Sequence, residues 1–281
     1  MSRAEDSAVN QANRRFGQME GISENGWEQS WIDLRDYISP TRGNFDGDKS
    51  EEGEMVDHQK VLDGYATIAV NILASGLLSG MTSPNRPWFK MELEDDFLND
   101  LPQVREWLDD TEGRMQAALN GSNIYQILHG TYTELGTFGT GCFIVLEDFQ
   151  DVVRGQSFTS GEYYIGTDYR GRVESFAREY WMTVEQMVEE FGKENVGASV
   201  MADWRNNQRL KEYKIRHLIE PNDFKVDGVP VSKMYRSLYW LAKDNGEGFL
   251  ATRGFDRFPV VAPRWETTTT HQVYGKGPLR S

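Results

Sequence analysis

Between residues 64 and 85 the chain carries no charged side chain, in a sequence of which 26 % is charged. The stretch reads GYATIAVNILASGLLSGMTSPN and runs on into RPWF. Its polar side chains, Thr67, Asn71, Ser75 and Ser79, recur every fourth residue, so on a helix they form one narrow ridge. Nearly everything else is apolar or glycine, and a helix apolar over most of its circumference is buried on most sides. The pattern predicts a rod from near residue 60 to about residue 81, roughly 30 Å long at ~1.5 Å per residue. Gly76 and Gly80 would let a neighbouring backbone approach. Two settings meet that demand: the centre of a domain core, or the seam between subunits. Pro84 breaks the helix, and Pro87, Trp88 and Phe89 make an aromatic landing just past the turn. The polar ridge and glycines make the run too polar to span a membrane.

The chain has 281 residues, enough to bury a real core as one large or two modest domains. Thirty Lys and Arg against 44 Asp and Glu leave a net charge of −14. Such a surface repels phosphate, which argues against tight nucleic-acid binding through a basic patch but not against a protein past which DNA must slide. One cysteine, Cys142, excludes an intrachain disulfide and fits a reducing cytoplasm. The N-terminal segment MSRAEDSAVNQANRRFGQ has no apolar core of a secretory leader.

The first half reads as helical. Trp27, Trp31, Leu34 and Ile38 share one helix face, and Pro40 and Gly43 stop that helix before an exposed polar loop. After the apolar helix, Asp100 as N-cap and Pro102 in the first turn open another, carrying Val104, Trp107, Leu108 and Met115 to Gly121. Ser122 can cap the next, with Ile124, Leu128 and Leu135 along one face.

From Gly139 the period changes. GCFIVLEDF reads as a buried strand, and GEYYIGTDYRGRVESFAREYW as a hairpin turning at residues 168–171. Thr183 and Gln186 form a capping box before VEQMVEEF, and a further helical stretch covers about residues 198–209. Tyr213, Ile215, His217 and Ile219 alternate as a half-buried strand. KMYRSLYWLA turns at residues 244–246 and returns through GFLATRGF. Helices first, then strands joined by short turns, give an α+β fold with a mainly antiparallel sheet. The composition divides into a helical part, 1–138, and a β-rich part with short helices, 139–281.

No motif assembles an active site. GTFGTG, at residues 136–141, follows a helix and opens a strand, the reverse of a phosphate loop, and reads as a corner needing positive φ. YGKGP, at 274–278, fails the same test. His58, His129, His217 and His271 are isolated, and Cys142 sits in a predicted buried strand. Asp46, Asp48, Ser50, Glu52, Glu54 and Asp57 mimic a calcium-loop spacing, but Glu51 stands where glycine is needed, so a solvated acidic loop is the reading. The adjacent carboxylates Glu94–Asp96, Asp109–Asp110 and Glu147–Asp148 read as solvated faces. No catalytic residue, metal or cofactor is expected.

KVLDGYATIAVNILASGLLSGMTSPNRPWF resembles the signature of the head-to-tail connector (portal) proteins of short-tailed bacteriophages. WIDLRDYISPTRGNF is similar to that family's Trp-containing helix and its Pro-x-x-Gly turn. VREWLDDTEGRMQAALNGSNIYQILHGTYTELGTFGTGCFIVLED resembles the helix pair and strand that follow, and SGEYYIGTDYRGRVESFAREYWMTVEQMVEEFG the hairpin and capped helix. YGKGP resembles a Tyr-Gly-x-x-Pro turn. The resemblance implies a portal-like α+β fold and a ring of about a dozen identical subunits at one capsid vertex. Terminase motor, scaffold or capsid, and tail proteins would be partners, with DNA passing through the channel without sequence-specific binding. The site would be the virion, and the host cytoplasm during assembly.

On this reading residues 73–81 form a buried helix of the portal body. Leu73, Gly76, Gly80, Pro84, Trp88 and Phe89 are the candidate packing residues, the last two locking the turn against the core or an adjacent subunit. The resemblance implies that family members continue past the last turn into channel, clip and crown segments, which are expected to be missing from a chain ending at Ser281. Two alternatives follow: a truncated or decayed prophage structural protein without a channel, and a hydrolase working through Glu147 and Asp148.

Overall fold

A computed structural model of the chain describes residues 3–45, 61, 63–223, 232–243 and 248–279. In chain order the helices α1 (Arg3–Glu24), α2 (Glu28–Tyr37), α3 (Tyr65–Met81), α4 (Asp96–Asn99), α5 (Pro102–Gly121) and α6 (Ile124–Phe138) come first. Then follow β1 (Cys142–Asp148), β2 (Val152–Phe158), β3 (Tyr163–Thr167) and β4 (Val173–Thr183), the helices α7 (Val184–Phe191) and α8 (Ala198–Arg205), and the strands β5 (Glu212–Pro221), β6 (Tyr235–Leu241), β7 (Phe249–Phe255) and β8 (Val260–Val261). The α+β expectation holds, with every strand pair antiparallel.

Packing divides the chain into two compact units that interleave along it. The first comprises Met1–Lys60, Thr159–Phe258 and Thr267–Tyr274; the second comprises Val61–Phe158, Pro259–Glu266 and Gly275–Ser281. The change of period at Gly139 thus marks a change of element type, while the units follow which faces are buried together.

In the first unit five strands run in the order β3-β4-β5-β6-β7. Alternation along each strand sends successive side chains to opposite faces. Ala177, Leu218, Leu238 and Trp240 face Val9, Ala12, Phe16 and Met19, the three-and-four-spaced stripe of α1. Ile215, Tyr239, Leu241 and Leu250 face α7 and α8 through Val184, Met187, Phe191 and Val200. Asn13 on α1 accepts hydrogen bonds from the Trp240 indole (2.8 Å) and the Arg216 guanidinium (3.1 Å). The Thr183–Gln186 capping box opens α7 as predicted. At residues 168–171 the predicted turn is closed by Gly171 N–H donating to the Asp168 carbonyl (3.0 Å).

Arg178, His217 and Tyr239 align across β4, β5 and β6 on the α7–α8 face. His217 is fully buried: its Nδ1 accepts from Arg178 Nε (3.3 Å), so its Nε2–H donates to Ser237 Oγ (2.9 Å). Tyr239 stacks on it at 3.9 Å. Burial, then the nearby Arg178 and Arg253, hold its pKa well below the usual 6.5.

The second unit has a three-stranded sheet in the order β2-β1-β8. Strand β2 has no clear apolar run and is not legible in the sequence; its pairing with β1 places it. Asn123 locks it to the start of α6 by exchanging two 2.9 Å hydrogen bonds with the backbone of Gly155. Gly139 ends α6 at φ +84°, the positive-φ corner that the sequence requires. A Cβ there would collide with the backbone of residues 275–277, so the two glycine motifs GTFGTG and YGKGP meet one another. Gly275 N–H also donates to Thr140 Oγ1 (2.8 Å).

Several boundaries differ from expectation. The apolar helix begins at Tyr65, where Asp63 Oδ1 accepts the Tyr65 N–H (2.6 Å), rather than near residue 60. Leu101, not Asp100, is the N-cap of α5, with Pro102 at N1, because a separate short turn, α4, capped by Asp95, uses up the preceding residues. Of the apolar residues assigned to α5, Leu108 is buried while Trp107 and Met115 are exposed. Asn123, not Ser122, is the N-cap of α6 and makes no side-chain cap bond, although Ser122 Oγ accepts the N–H of Ile124 (3.2 Å). The calcium-like spacing at residues 46–57, His58 and the turn at 244–246 lie outside the described residues.

Two outcomes test this arrangement. Gly139→Ala meets both positive φ and a backbone collision, so a loss of about 1–3 kcal/mol from the conformation alone is expected in denaturant unfolding, with more from the clash. His217 predicts acid sensitivity. As pH falls through about 6.5 the unfolded chain takes up a proton that the buried ring refuses, so stability is lost on the acid side. The melting temperature of the wild type should therefore fall more steeply than that of His217→Gln between about pH 7.5 and about pH 5.5. Carboxylates common to both proteins cancel in that comparison, and parallel slopes would show that the ring is not held neutral.

Candidate functional site

The charge-free helix α3 lies in the second unit and packs chiefly against α6. From residue 131 to 138 every residue of α6 is buried. Two of its hydroxyls are satisfied within the helix, Thr131 donating to the Ile127 carbonyl (2.9 Å) and Thr133 to the His129 carbonyl (3.0 Å), whereas the buried Thr137 Oγ1 has no hydrogen-bond partner among the described residues. Ala74 of α3 packs on Tyr132 and Leu135, with Leu77, Leu78 and Leu128 around them. The close approach is made by Gly136 of α6, where a Cβ would stand 3.2 Å from Leu73 Cδ2 and 3.7 Å from Val70 Cγ1.

The expectation that α3 is buried on most sides is not met among the described residues. Only Val70 and Ala74 of the helix are buried. Residues at 3.6 per turn explain why: Val70, Ala74 and Leu78 point to α6, while Tyr65, Ile68, Ala69, Ile72, Gly76 and Gly80 fall on the opposite side. That opposite side is exposed, Tyr65 at 77 % and Ile72 at 68 %. Gly76 and Gly80, predicted to admit a neighbouring backbone, would have no neighbour within 4 Å of an added Cβ among the described residues. One helix partner covers only one side of a helix, and among the described residues the outer side of α3 has no cover.

The turn after α3 has a clear local logic. Arg86 reaches back to the carbonyls of Ser79 (3.0 Å) and Gly80 (3.2 Å), supplying both donors and positive charge to a helix end that lacks them. Thr82 Oγ1 shares a hydrogen bond with Tyr132 OH (3.0 Å) and holds the end of α3 on α6. Trp88 Nε1 donates to Tyr125 OH (3.1 Å), which also receives Gln116 Nε2 of α5 (2.8 Å). Trp88 and Phe89 meet edge to face at 5.0 Å.

The candidate packing residues therefore separate. Leu73 is half-buried on Gly136; Gly76, Gly80 and Pro84 are exposed; Trp88 is 38 % exposed and Phe89 half-buried. Trp88 does hold the turn, through Tyr125 rather than through a core pocket. The sequence reading missed the Arg86 cap and the outward stripe. A cation two residues beyond a helix-ending proline was the signal for the first.

The residues of the hydrolase alternative take structural places. Asp148 Oδ1 accepts the N–H groups of Asp151 (3.0 Å) and Gln150 (2.7 Å) at the tip of the β1–β2 hairpin, and those bonds lower its pKa. Glu147, one residue away on the strand, alternates to the other face. Cys142 is buried. Among the described residues no group of three His, Cys, Asp or Glu is placed to hold a metal ion, and no helix is long and apolar enough to cross a membrane.

Comparison with known proteins adds the family. A family model described as bacteriophage head to tail connecting protein matches residues 9–281. The portal protein of Salmonella phage epsilon15 is 41 % identical over 243 residues, which is 85 % of this chain and 43 % of that protein. The probable portal protein of Bordetella phage BPP-1 is 35 % identical over 269 residues, 94 % of this chain and 47 % of that one. The chain thus spans about half the length of the curated relatives it matches.

Trp88 supplies the test of this geometry. Since the ring is partly exposed, Trp88→Ala should cost about 1–2 kcal/mol for one hydrogen bond and part of an aromatic contact, not the ~3–5 kcal/mol of a core truncation. Denaturant unfolding measures the difference, and a core-sized loss would place the ring deeper than described.

Proposed function

The chain belongs to the bacteriophage head to tail connecting protein family, and from that premise we propose that it serves as a portal subunit, a structural protein of the virion at the junction of head and tail. Identical subunits close into a ring at one capsid vertex, with capsid and tail proteins as neighbours. DNA passes through the ring, and the packaging motor is a separate terminase. Assembly takes place in the host cytoplasm. The role calls for no cofactor and no catalytic residue in this chain.

The observation that carries the reading is the outward face of α3. It presents Tyr65, Ile68, Ile72, Gly76 and Gly80 without a single charge, on a chain whose net charge is −14. Two copies of so acidic a chain repel except where charge is absent, so this face is where they come together at least cost. Full burial of an Ile contributes about 1.5–3 kcal/mol relative to leaving it in water, and the outward glycines let a second backbone come near. A subunit in a ring has neighbours on two sides, which supplies the cover that a single α6 does not. Gly76 and Gly80 keep their assigned part in this scheme, as members of a seam between subunits.

The test is the mass in solution by light scattering over a range of concentrations. Wild-type chain should grow toward ring-sized species, while Ile72→Asp stays at single-chain mass and keeps the melting temperature that the wild type shows at dilution where it is single, since Ile72 faces away from its own core. Equal association by both proteins would refute the α3 seam. A wild-type chain that stays single at every concentration would remove self-assembly through this part.

A further inference from the structure

Helices α4 and α5 hold large apolar side chains in water. Phe97 is 72 % exposed and Trp107 58 %, and Leu98 and Leu101 between them are exposed as well. Such a run is unusual for a folded surface and marks a place where another molecule is expected. Beside it opens a cleft of about 660 Å³ whose lining includes the buried Leu108 and the half-buried Met91, with Asp96, Asp100, Arg105 and Asp109.

Charge decides what fits. Between residues 92 and 112 the sequence has nine carboxylates and one cation, Arg105. Lys90 is engaged by Glu92 (3.0 Å) and Arg105 by Asp100 (3.5 Å). Asp96 and Asp109 have no ion-pair partner among the described residues. We propose that this face docks a basic, amphipathic segment of a different protein, whose apolar side chains cover Phe97 and Trp107 and whose arginine or lysine enters the cleft against Asp96 and Asp109. Nucleic acid is excluded by the same carboxylates, which repel phosphate. A second copy is disfavoured as well, since its surface carries a net charge of −14 and would set carboxylate against carboxylate whichever charged face it presented. The aromatic side chains supply the affinity and the carboxylates the selectivity and the rate of encounter. The surface is separate from the charge-free face of α3, and the proposal stands whether or not that face joins subunits.

The probe is a labelled synthetic helical peptide with leucine on one face and arginine on the other, titrated into the full chain and followed by anisotropy. A matched peptide with glutamate for arginine serves as comparison. The arginine peptide should bind and the glutamate peptide should not. Phe97→Ala with Trp107→Ala should weaken binding roughly tenfold or more while leaving the melting temperature alone, because both rings are exposed. Asp96→Asn with Asp109→Asn should weaken it at low salt and progressively less as salt is raised. Glu147→Gln with Asp151→Asn, which removes the same charge at the β1–β2 hairpin, should leave binding unchanged. Equal binding of the two peptides, an equal loss from the hairpin variant, or no loss on truncating the two rings would each overturn the proposal. So would a change in the solution mass of the chain on substituting Asp96 and Asp109, which would make the face a contact between copies.

Discussion

From residue 131 to 138 every residue of α6 is buried, and the second unit is arranged around that requirement. A helix buried all round needs apolar partners on every side and an ending that satisfies its last carbonyls away from solvent. Gly136 lets α3 come close on one side. Asn123 and Gly155 bring the β1–β2 hairpin to the start of the helix. Gly139 turns the chain at positive φ straight into β1, and the backbone of residues 275–277 closes over that corner. Each of these approaches depends on a missing side chain, so the unit is built on close backbone contact more than on bulky filling.

Because α6 is satisfied by one face of α3, the opposite face of α3 is left over. A helix without charge from Tyr65 to Met81 would be costly to leave in water, yet among the described residues nothing covers its outer stripe. The Arg86 cap and the Thr82–Tyr132 bond hold the end of the helix in place regardless. The helix is thus already ordered before any neighbour arrives, which lowers the entropy cost of covering it.

The first unit solves a different problem, a sheet covered on both faces that carries polar groups inside. Arg236 and Glu220 pair across β6 and β5, with Arg236 Nη2 to Glu220 Oε1 at 2.6 Å, and Arg15 of α1 adds a second cation at 3.3 Å. Lys214 and Arg216 both reach Glu179, at 2.6 and 2.7 Å. Pairs of this kind contribute little net stability, since desolvation opposes them, but breaking one leaves a buried charge. They bind the register of β4, β5 and β6 to the docking of α1, because a slip of one residue would turn these groups to the wrong face.

Local pattern determined much of this by itself. The capping box of α7, the turn at 168–171, the positive φ at Gly139, the strand β1, buried only at Cys142, Phe143 and Ile144 and ending before the exposed Phe149, and the order of helices before strands all rest on residues near one another in the chain, where spacing and backbone sterics act directly. The absence of charge along α3 was equally plain. What the sequence left open was which neighbour each face meets. Trp107 and Leu108 are adjacent apolar residues on one helix, and only the packing of α5 decides that one is buried and the other exposed. Gly76 and Gly80 look like contact glycines on α3, yet the close approach is made at Gly136, because the helix rotates its Val70–Ala74 side toward α6. Strand β2 and the division into two interleaved units likewise arise from pairings between distant segments. Hydrophobic burial has no direction of its own: sequence fixes how much apolar surface a helix offers, and only the tertiary structure settles what that surface meets.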